Sequence, residues 1–340
     1  VADRLILKAS RAFAVADDRV AMWQVATSIL VLIVAIAIAG LLHGAWSLVA
    51  IPLIAGVSVR IFVLQHDCGH GSLFGTRRAN DAMGAALSWW TGVPFEPWRT
   101  EHAWHHSHQG KLDVRGVDRV NSPMTVEEAR RDPAAAGVRA RFISLFTVMT
   151  VGVWSLLGKR KRLVGFFMFR EGFPNRVPNR AAQARGLLLT VIPYAIIQLV
   201  LMAGLGLRGW AIVFGACVLG GSCGALLFWM QHNFEPGFHA AGEKWDFVSV
   251  AVDGSSYVRL GPVLRWFTGS IGLHHVHHLN PRIPNYRLED ARRTIPELSA
   301  VDPLTLSDVR RTFTHVFWDE DRGAMVPIDQ VGIPEEVLRA

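Results

Sequence analysis

The chain is poor in charge and in sulfur. Only 19% of its 340 residues are charged, and its cysteines are Cys68, Cys217 and Cys223 alone. No C-x-x-C pair occurs, which removes thioredoxin-like redox chemistry and cysteine-built zinc ribbons, and so sparse a set makes a disulfide framework unexpected. No G-x-G-x-x-G opens a βαβ unit, so no dinucleotide fold is expected. No low-complexity linker and no internal repeat beyond paired apolar runs divides the chain, and residues 1–340 read as a single domain. The formal net charge is +7 and the isoelectric point about 9.8. No nucleic-acid-binding motif accompanies that charge, so nucleic acid is not expected as a partner.

What the chain has in quantity is apolar sequence: 51% of residues, with a mean hydropathy of +0.26. The excess is local. Trp23–Leu42, Leu187–Leu207 and Trp210–Met230 carry no charge, and Ala45–Leu64 carries only Arg60, near enough to its end to snorkel. Each run is about the 20 residues that a helix needs to cross the hydrocarbon core, and none has the polar face of a soluble core helix. His43-Gly44 separates the first two runs and Arg208-Gly209 the last two. Turns this tight predict two transmembrane hairpins, with all long segments on one side. Of 35 Lys and Arg residues only Arg208 lies in a far-side turn. The positive-inside rule then puts both termini, residues 65–186 and residues 231–340 in the cytoplasm. The first run is too long for the apolar core of a cleaved leader, so no cleavable signal peptide is expected. Because the chain starts with Val1, an initiator methionine or a short leader is read as missing.

Two shorter apolar stretches, Ala82–Val93 and Phe142–Leu157, predict interfacial or partly dipping segments. Lys159-Arg160-Lys161-Arg162 follows the second as a headgroup-facing basic patch or, more sharply, as a docking surface for an acidic electron carrier. In the polar tail, Leu288–Glu297 and Ser307–Trp318 predict short amphipathic helices, the second capped by Ser307 and packed through Phe313, Val316 and Phe317.

Eight histidines form three clusters: His66 and His70; His102, His105 and His106; His274, His277 and His278. Their spacings, H-x-x-x-H, H-x-x-H-H and H-x-x-H-H, put the imidazoles of each cluster on one helical face. Neutral imidazole suits iron, copper, zinc and nickel. Three clusters offer more nitrogens than one tetrahedral zinc uses, which points to two metal ions. The predicted topology brings all three clusters to the same membrane face. A metal transporter would instead carry ligands at mid-membrane, and these histidines lie outside the four apolar runs. A metal-storage or sensor protein is a further reading of the same clusters.

The boxes read His-Asp-Cys-Gly-His-Gly from His66, Glu-His-Ala-Trp-His-His from Glu101, and His-His-Val-His-His-Leu from His274. In spacing, order and topology they resemble those of the integral-membrane fatty acid desaturases. Pro97-Trp98-Arg99, Gly110-Lys111-Leu112-Asp113, Gly272-Leu273 and Pro281-Arg282-Ile283-Pro284-Asn285-Tyr286 are similar to the Δ12-type acyl-lipid branch in bacteria and plants, and the likeness covers roughly residues 20–300. The resemblance implies an all-α integral membrane fold: four transmembrane helices in two hairpins and a cytoplasmic helical cap, in a bacterial inner membrane. The cap would hold two non-haem irons that use O₂ as co-substrate to introduce a cis double bond into a long, lipid-linked acyl chain.

Carried over residue by residue, the resemblance makes the eight clustered histidines ligands and adds His232, after the fourth crossing. Where the acyl-CoA branch has an asparagine, four residues before that histidine, this chain has Phe228. Carboxylates commonly orient ligating rings; Asp67, Glu101, Asp113, Glu235 and Asp246 are candidates, with Asp67 and Asp113 favoured, and His275 joins them as a second layer around the ligands. Trp104 and Trp229, each beside a ligand, are candidates to line the acyl tunnel. With no haem or dinucleotide module of its own, the chain needs an external electron donor, a ferredoxin or cytochrome b5-like protein with its reductase. The boxes alone suit fatty acyl hydroxylation, epoxidation or carotenoid ketolation equally; the flanking residues favour desaturation.

Overall fold

A computed structural model describes residues 2–114, 123–142, 180–333 and 336. The predicted stretch Phe142–Leu157 falls outside the described residues apart from Phe142, and Lys159–Arg162 lies wholly outside them.

Three described helical segments are long and apolar enough to cross a membrane: Asp18–Leu41, Gly44–His70 and Ala184–His232. The first is helix α2, which follows a short amphipathic helix α1 (Ala2–Ser10). The Asp17 carboxylate caps α2 by accepting from the Arg19 and Val20 amides, at 2.9 and 3.2 Å. The second segment starts with a 3-10 turn, Gly44–Val49, and continues as α3, Ala50–His70. At 1.5 Å per residue, 27 residues of helix span about 40 Å, more than the hydrocarbon core of about 30 Å. The excess carries His66 and His70 past the apolar part of the helix.

The third segment belongs to α8, Arg180–His232, which is broken at Gly206 (φ 68°, ψ 174°), a conformation open to glycine and costly for other residues. The break is a reversal. The Trp210 indole donates to the Gln198 side chain at 3.1 Å, although twelve residues of straight helix would part them by about 18 Å. Sequence reading put this turn at Arg208-Gly209; the structure turns two residues earlier. Arg208 instead reaches across to the other turn, donating to the Ser47 hydroxyl at 2.7 Å.

Helices α4 (Arg77–Thr91) and α5 (Phe95–His108) follow α3. The α4 helix covers the expected interfacial stretch and packs between α3 and α8: Trp90 donates to Ser58 at 3.0 Å, and the Ser88 and Thr190 hydroxyls meet at 2.9 Å. The remaining described helices are short: α6 (Val126–Arg131), α7 (Pro133–Phe142), α9 (Phe247–Asp253), α10 (Pro262–Phe267), α11 (His274–Leu279), α12 (Leu288–Thr294), α13 (Pro296–Ser299) and α14 (Leu306–Arg311).

The tail departs from the sequence reading. The predicted helix Ser307–Trp318 stops at Arg311, and its N-cap is Thr305, which forms a capping box with Asp308. Strand β2 (His315–Asp319) then pairs antiparallel with β3 (Ala324–Pro327) and parallel with β1 (Met124–Thr125). The fold is thus mostly helical, with a small sheet where an all-helical tail was expected. Val316, Phe317 and Trp318 are β-formers, and Asp319 closes the turn by accepting from the Asp321 and Arg322 amides, both at 3.1 Å. The predicted helix Leu288–Glu297 is cut by Pro296, which cannot donate to the preceding turn.

Candidate metal centre

Four elements deliver histidines to one place: the end of α3 (His66, His70), the last two turns of α5 (His102, His105, His106), the end of α8 (His232) and the short α11 (His274, His277, His278). Every residue of α11 is buried. Six residues make too short a helix to be stable alone; packing fixes this one.

The histidines sort into two groups. His66, His70, His102, His106 and His277 place ligand nitrogens within 4.8 Å of one another, and so do His105, His232 and His278. His274 joins the second group, its Nε2 at 3.0 Å from Nε2 of His232. Within the first group, Nε2 of His106 lies 3.1 Å from Nε2 of both His102 and His277. The groups adjoin where the His106 and His278 rings stack at 4.1 Å.

The donor set fits metal ions. Two nitrogens bound at right angles, each about 2.1 Å from one ion, would lie about 3.0 Å apart. The Nε2 atoms of His70 and His278 are buried and make no hydrogen bond within the protein, a costly state unless something binds them. Burial, reinforced by neighbouring imidazoles, holds His102, His106, His274, His277 and His278 well below the ordinary imidazole pKa. These rings are therefore neutral at pH 7, the form that ligates metal.

Of the candidate orienting groups, Asp67 sits on a histidine. Its Oδ1 lies 3.2 Å from Nδ1 of His66, while Oδ2 accepts from the backbone and side-chain amides of Asn285 at 2.8 and 2.9 Å. The Asn285 Oδ1 in turn accepts from Gln24 of α2 at 2.9 Å. Asn285 lies in the Pro281–Tyr286 motif, but its contact with Asp67, 218 residues away, has no trace in local spacing. Three other candidates are placed differently. Asp113 is exposed; Glu235 accepts from the Met325 amide at 2.6 Å; Asp246 caps α9 through the Ser249 amide at 2.8 Å. His275 faces the Leu298 carbonyl at 3.3 Å and the Tyr257 ring, not the ligand groups.

The predicted tunnel tryptophans make contacts outside the two groups. Trp104 stacks on His108 at 4.3 Å, and Trp229 donates to the Thr312 carbonyl at 3.0 Å within a hydrophobic core that includes Phe317. Two other aromatics do touch the groups. Trp98 stacks on His102 at 4.7 Å, and a Cβ on Gly69 would come within 2.7 Å of its ring. Phe228 meets the His232 ring edgewise at 4.9 Å and lies tilted against the His105 ring at 5.4 Å. His43, His108, His239 and His315 belong to neither group.

Comparison with known proteins covers the stretch of chain that carries these histidines. The fatty acid desaturase family profile matches residues 44–308. A fatty acid desaturase of Bacillus subtilis (strain 168) is 33% identical over 275 residues, covering 80% of this chain and 74% of its own length. An sn-1 oleoyl-lipid 12-desaturase of Anabaena variabilis is 26% identical, covering 75% of this chain and 72% of its own. A chloroplastic omega-6 fatty acid desaturase of Arabidopsis thaliana is 24% identical over 69% of this chain, which spans 50% of that relative.

Proposed function

The chain belongs to the fatty acid desaturase family, and from that premise we propose that it introduces a cis double bond into a long, lipid-linked acyl chain, with Δ12-type placement. The observation that carries the reading is the convergence of nine buried or half-buried histidines from four chain elements into two adjoining groups. The position and the carrier rest on the relatives named as acting on an oleoyl-lipid at position 12.

His66, His70, His102, His106 and His277 are the proposed ligands of one iron; His105, His232, His274 and His278 are those of the other. Two iron ions bound there would supply the O₂-derived oxidising power needed at an unactivated methylene, which acid–base side chains cannot provide. The protein's own residues do the rest. Asp67 accepts from His66 and so fixes its ring and tautomer, and Asn285 fixes Asp67. Phe228 and Trp98 pack against ligand rings and exclude water from them. The overall balance removes two hydrogens from the acyl chain and reduces O₂ to two waters, with two further electrons from an external ferredoxin or cytochrome b5-like donor and its reductase and two protons from water.

The proposal extends to placement. Residues 1–340 act as one domain with four crossings in two hairpins. The reversals at Gly44 and Gly206 support this, as does Arg208 standing with the first turn. The cap and both termini then face the cytoplasm, across a bacterial inner membrane, in agreement with the charge asymmetry.

The test is the fatty acid profile, with double-bond localisation, of a bacterial host that expresses a ferredoxin donor with either the intact chain or the His277→Ala variant. A new dienoic acid found only with the intact chain is the expected result. A hydroxy or keto product would reassign the reaction to oxygen insertion on the same scaffold.

A further inference from the structure

Between the end of α8 and the third histidine box, the chain leaves the cap, touches the apolar helices and returns. The base of this excursion is closed by the Val258 amide donating to the Gly272 carbonyl at 2.8 Å and by a bridge between Tyr257 and Leu273. Its distal part is α10, followed by a reversal through Gly269 (φ 52°) and Ser270 (φ 59°).

The contacts of α10 fix its depth. The Phe267 ring lies on α3 at Gly56, where a Cβ would come within 2.7 Å of it. Gly56 is about 21 Å along α3 from His70, well into a hydrocarbon core of about 30 Å. Trp266 lies beneath Arg60 of α3, whose guanidinium carbon is 4.2 Å from the ring centroid. Arg60 also donates to the Trp266 carbonyl and, at 2.9 Å, to the Ser28 hydroxyl of α2. Arg60 is only 3% exposed, and a charge in that position is expensive unless it has partners. The partners here are a hydroxyl, the face of an indole and a carbonyl at the end of α10. The opposite end of α10 is apolar and uncovered: Val263 is 69% exposed and Leu264 57%. They are uncovered as Ile29, Leu30 and Ile33 of α2 are, while exposed Arg259 precedes them and suits an anionic headgroup.

We propose that residues 258–272 form a re-entrant membrane loop. Val263 and Leu264 lie among phospholipid acyl chains, and Arg60 is the positioning residue that clamps the loop to α2 and α3. The backbone is tolerated at this depth because it packs on protein. The loop closes immediately before His274, so its seating in the leaflet sets where the third box begins. This inference rests on the membrane reading of α2 and α3, not on the reaction catalysed.

The test places a nitroxide at Val263→Cys or Leu264→Cys in full-length protein with Cys217 and Cys223 replaced by serine, in vesicles of phosphatidylglycerol and phosphatidylethanolamine. Accessibility to O₂ and to a water-soluble nickel chelate is compared with Ile33→Cys as the lipid reference and Glu297→Cys as the water reference. The expected result is that positions 263 and 264 match position 33, with O₂ access and loss of nickel access. Adding Arg60→Met should restore nickel access at position 263 while position 33 is unchanged. Nickel access at 263 and 264 equal to that at 297 would overturn the loop. Nickel access at 33 as well would overturn the membrane reading and the loop with it. An Arg60→Met variant that leaves position 263 dry would remove Arg60 as the clamp.

Discussion

The two histidine groups are built alike at their ligands and differently behind them. The first has five rings, and one of them is held by a relay that runs from His66 through Asp67 and Asn285 to Gln24. The second has His105, His232 and His278 with His274 alongside, and behind it stands Phe228, edge-on to His232 and tilted against His105. A polar relay fixes tautomer and raises ligand basicity; a phenyl ring fixes position and keeps water out but donates nothing. The two proposed metal positions therefore need not be equivalent in affinity: the first is anchored through hydrogen bonds to α2 and the Pro281–Tyr286 segment, whereas in the second Nδ1 of His232 and Nδ1 of His274 are buried without a hydrogen bond inside the protein.

The largest expected effect comes from removing a ligand. His106→Ala or His277→Ala should abolish turnover and lower bound iron, while His43→Ala, altering an exposed ring in the turn between α2 and α3, should do neither; product analysis with metal quantification reads both. Full activity in either cluster variant would remove the two-iron assignment.

Next in size is the relay. Asp67→Asn and Asn285→Ala should each cost about 10- to 100-fold in metal affinity or activity, with loss confined to the first group. Chelator competition followed by metal counting would show this, and equal loss from both groups would contradict the asymmetry. Phe228→Asn sharpens the same comparison from the other side. It places an amide beside His105 and His232 and should slow metal release from the second group by up to about tenfold, leaving the first unchanged.

The smallest effect is on the metal-free protein. Burial lowers the folded-state pKa of His102, His106, His274, His277 and His278 below the ordinary 6.5. Below pH 6.5 the unfolded chain then binds more protons than the folded one, so stability must fall as pH falls. Thermal unfolding of chelator-treated protein should give a Tm that is level above about pH 6.5 and declines beneath it. A Tm that rises on acidification would show that these rings are protonated in the fold.

Much of this was legible in sequence, because periodicity and residue chemistry are local. The apolar runs found their helices, and the H-x-x-H-H spacings found their shared faces. His232 came from resemblance, and the structure sets it against His105 and His274. What stayed hidden depends on distant partners. The reversal at Gly206 uses glycine's freedom at positive φ, but Gly204 and Gly209 share that freedom, so local sequence does not choose among them. The strand at His315–Asp319 was read as helix because Phe313, Val316 and Phe317 also fit a helical period, and its pairing with Ala324–Pro327 decided otherwise. Asn285 on Asp67 and Trp98 on His102 have no short-range signature. Trp104 and Trp229 adjoin ligands in sequence, yet their side chains turn toward His108 and the cap.

The central claim, two iron positions held by separate histidine groups, is tested most directly by counting iron per chain in the intact protein, in His70→Ala and in His232→Ala, purified from iron-supplemented cells. Two irons are expected in the intact chain and one in each variant. One iron in the intact protein, or two in either variant, would contradict it.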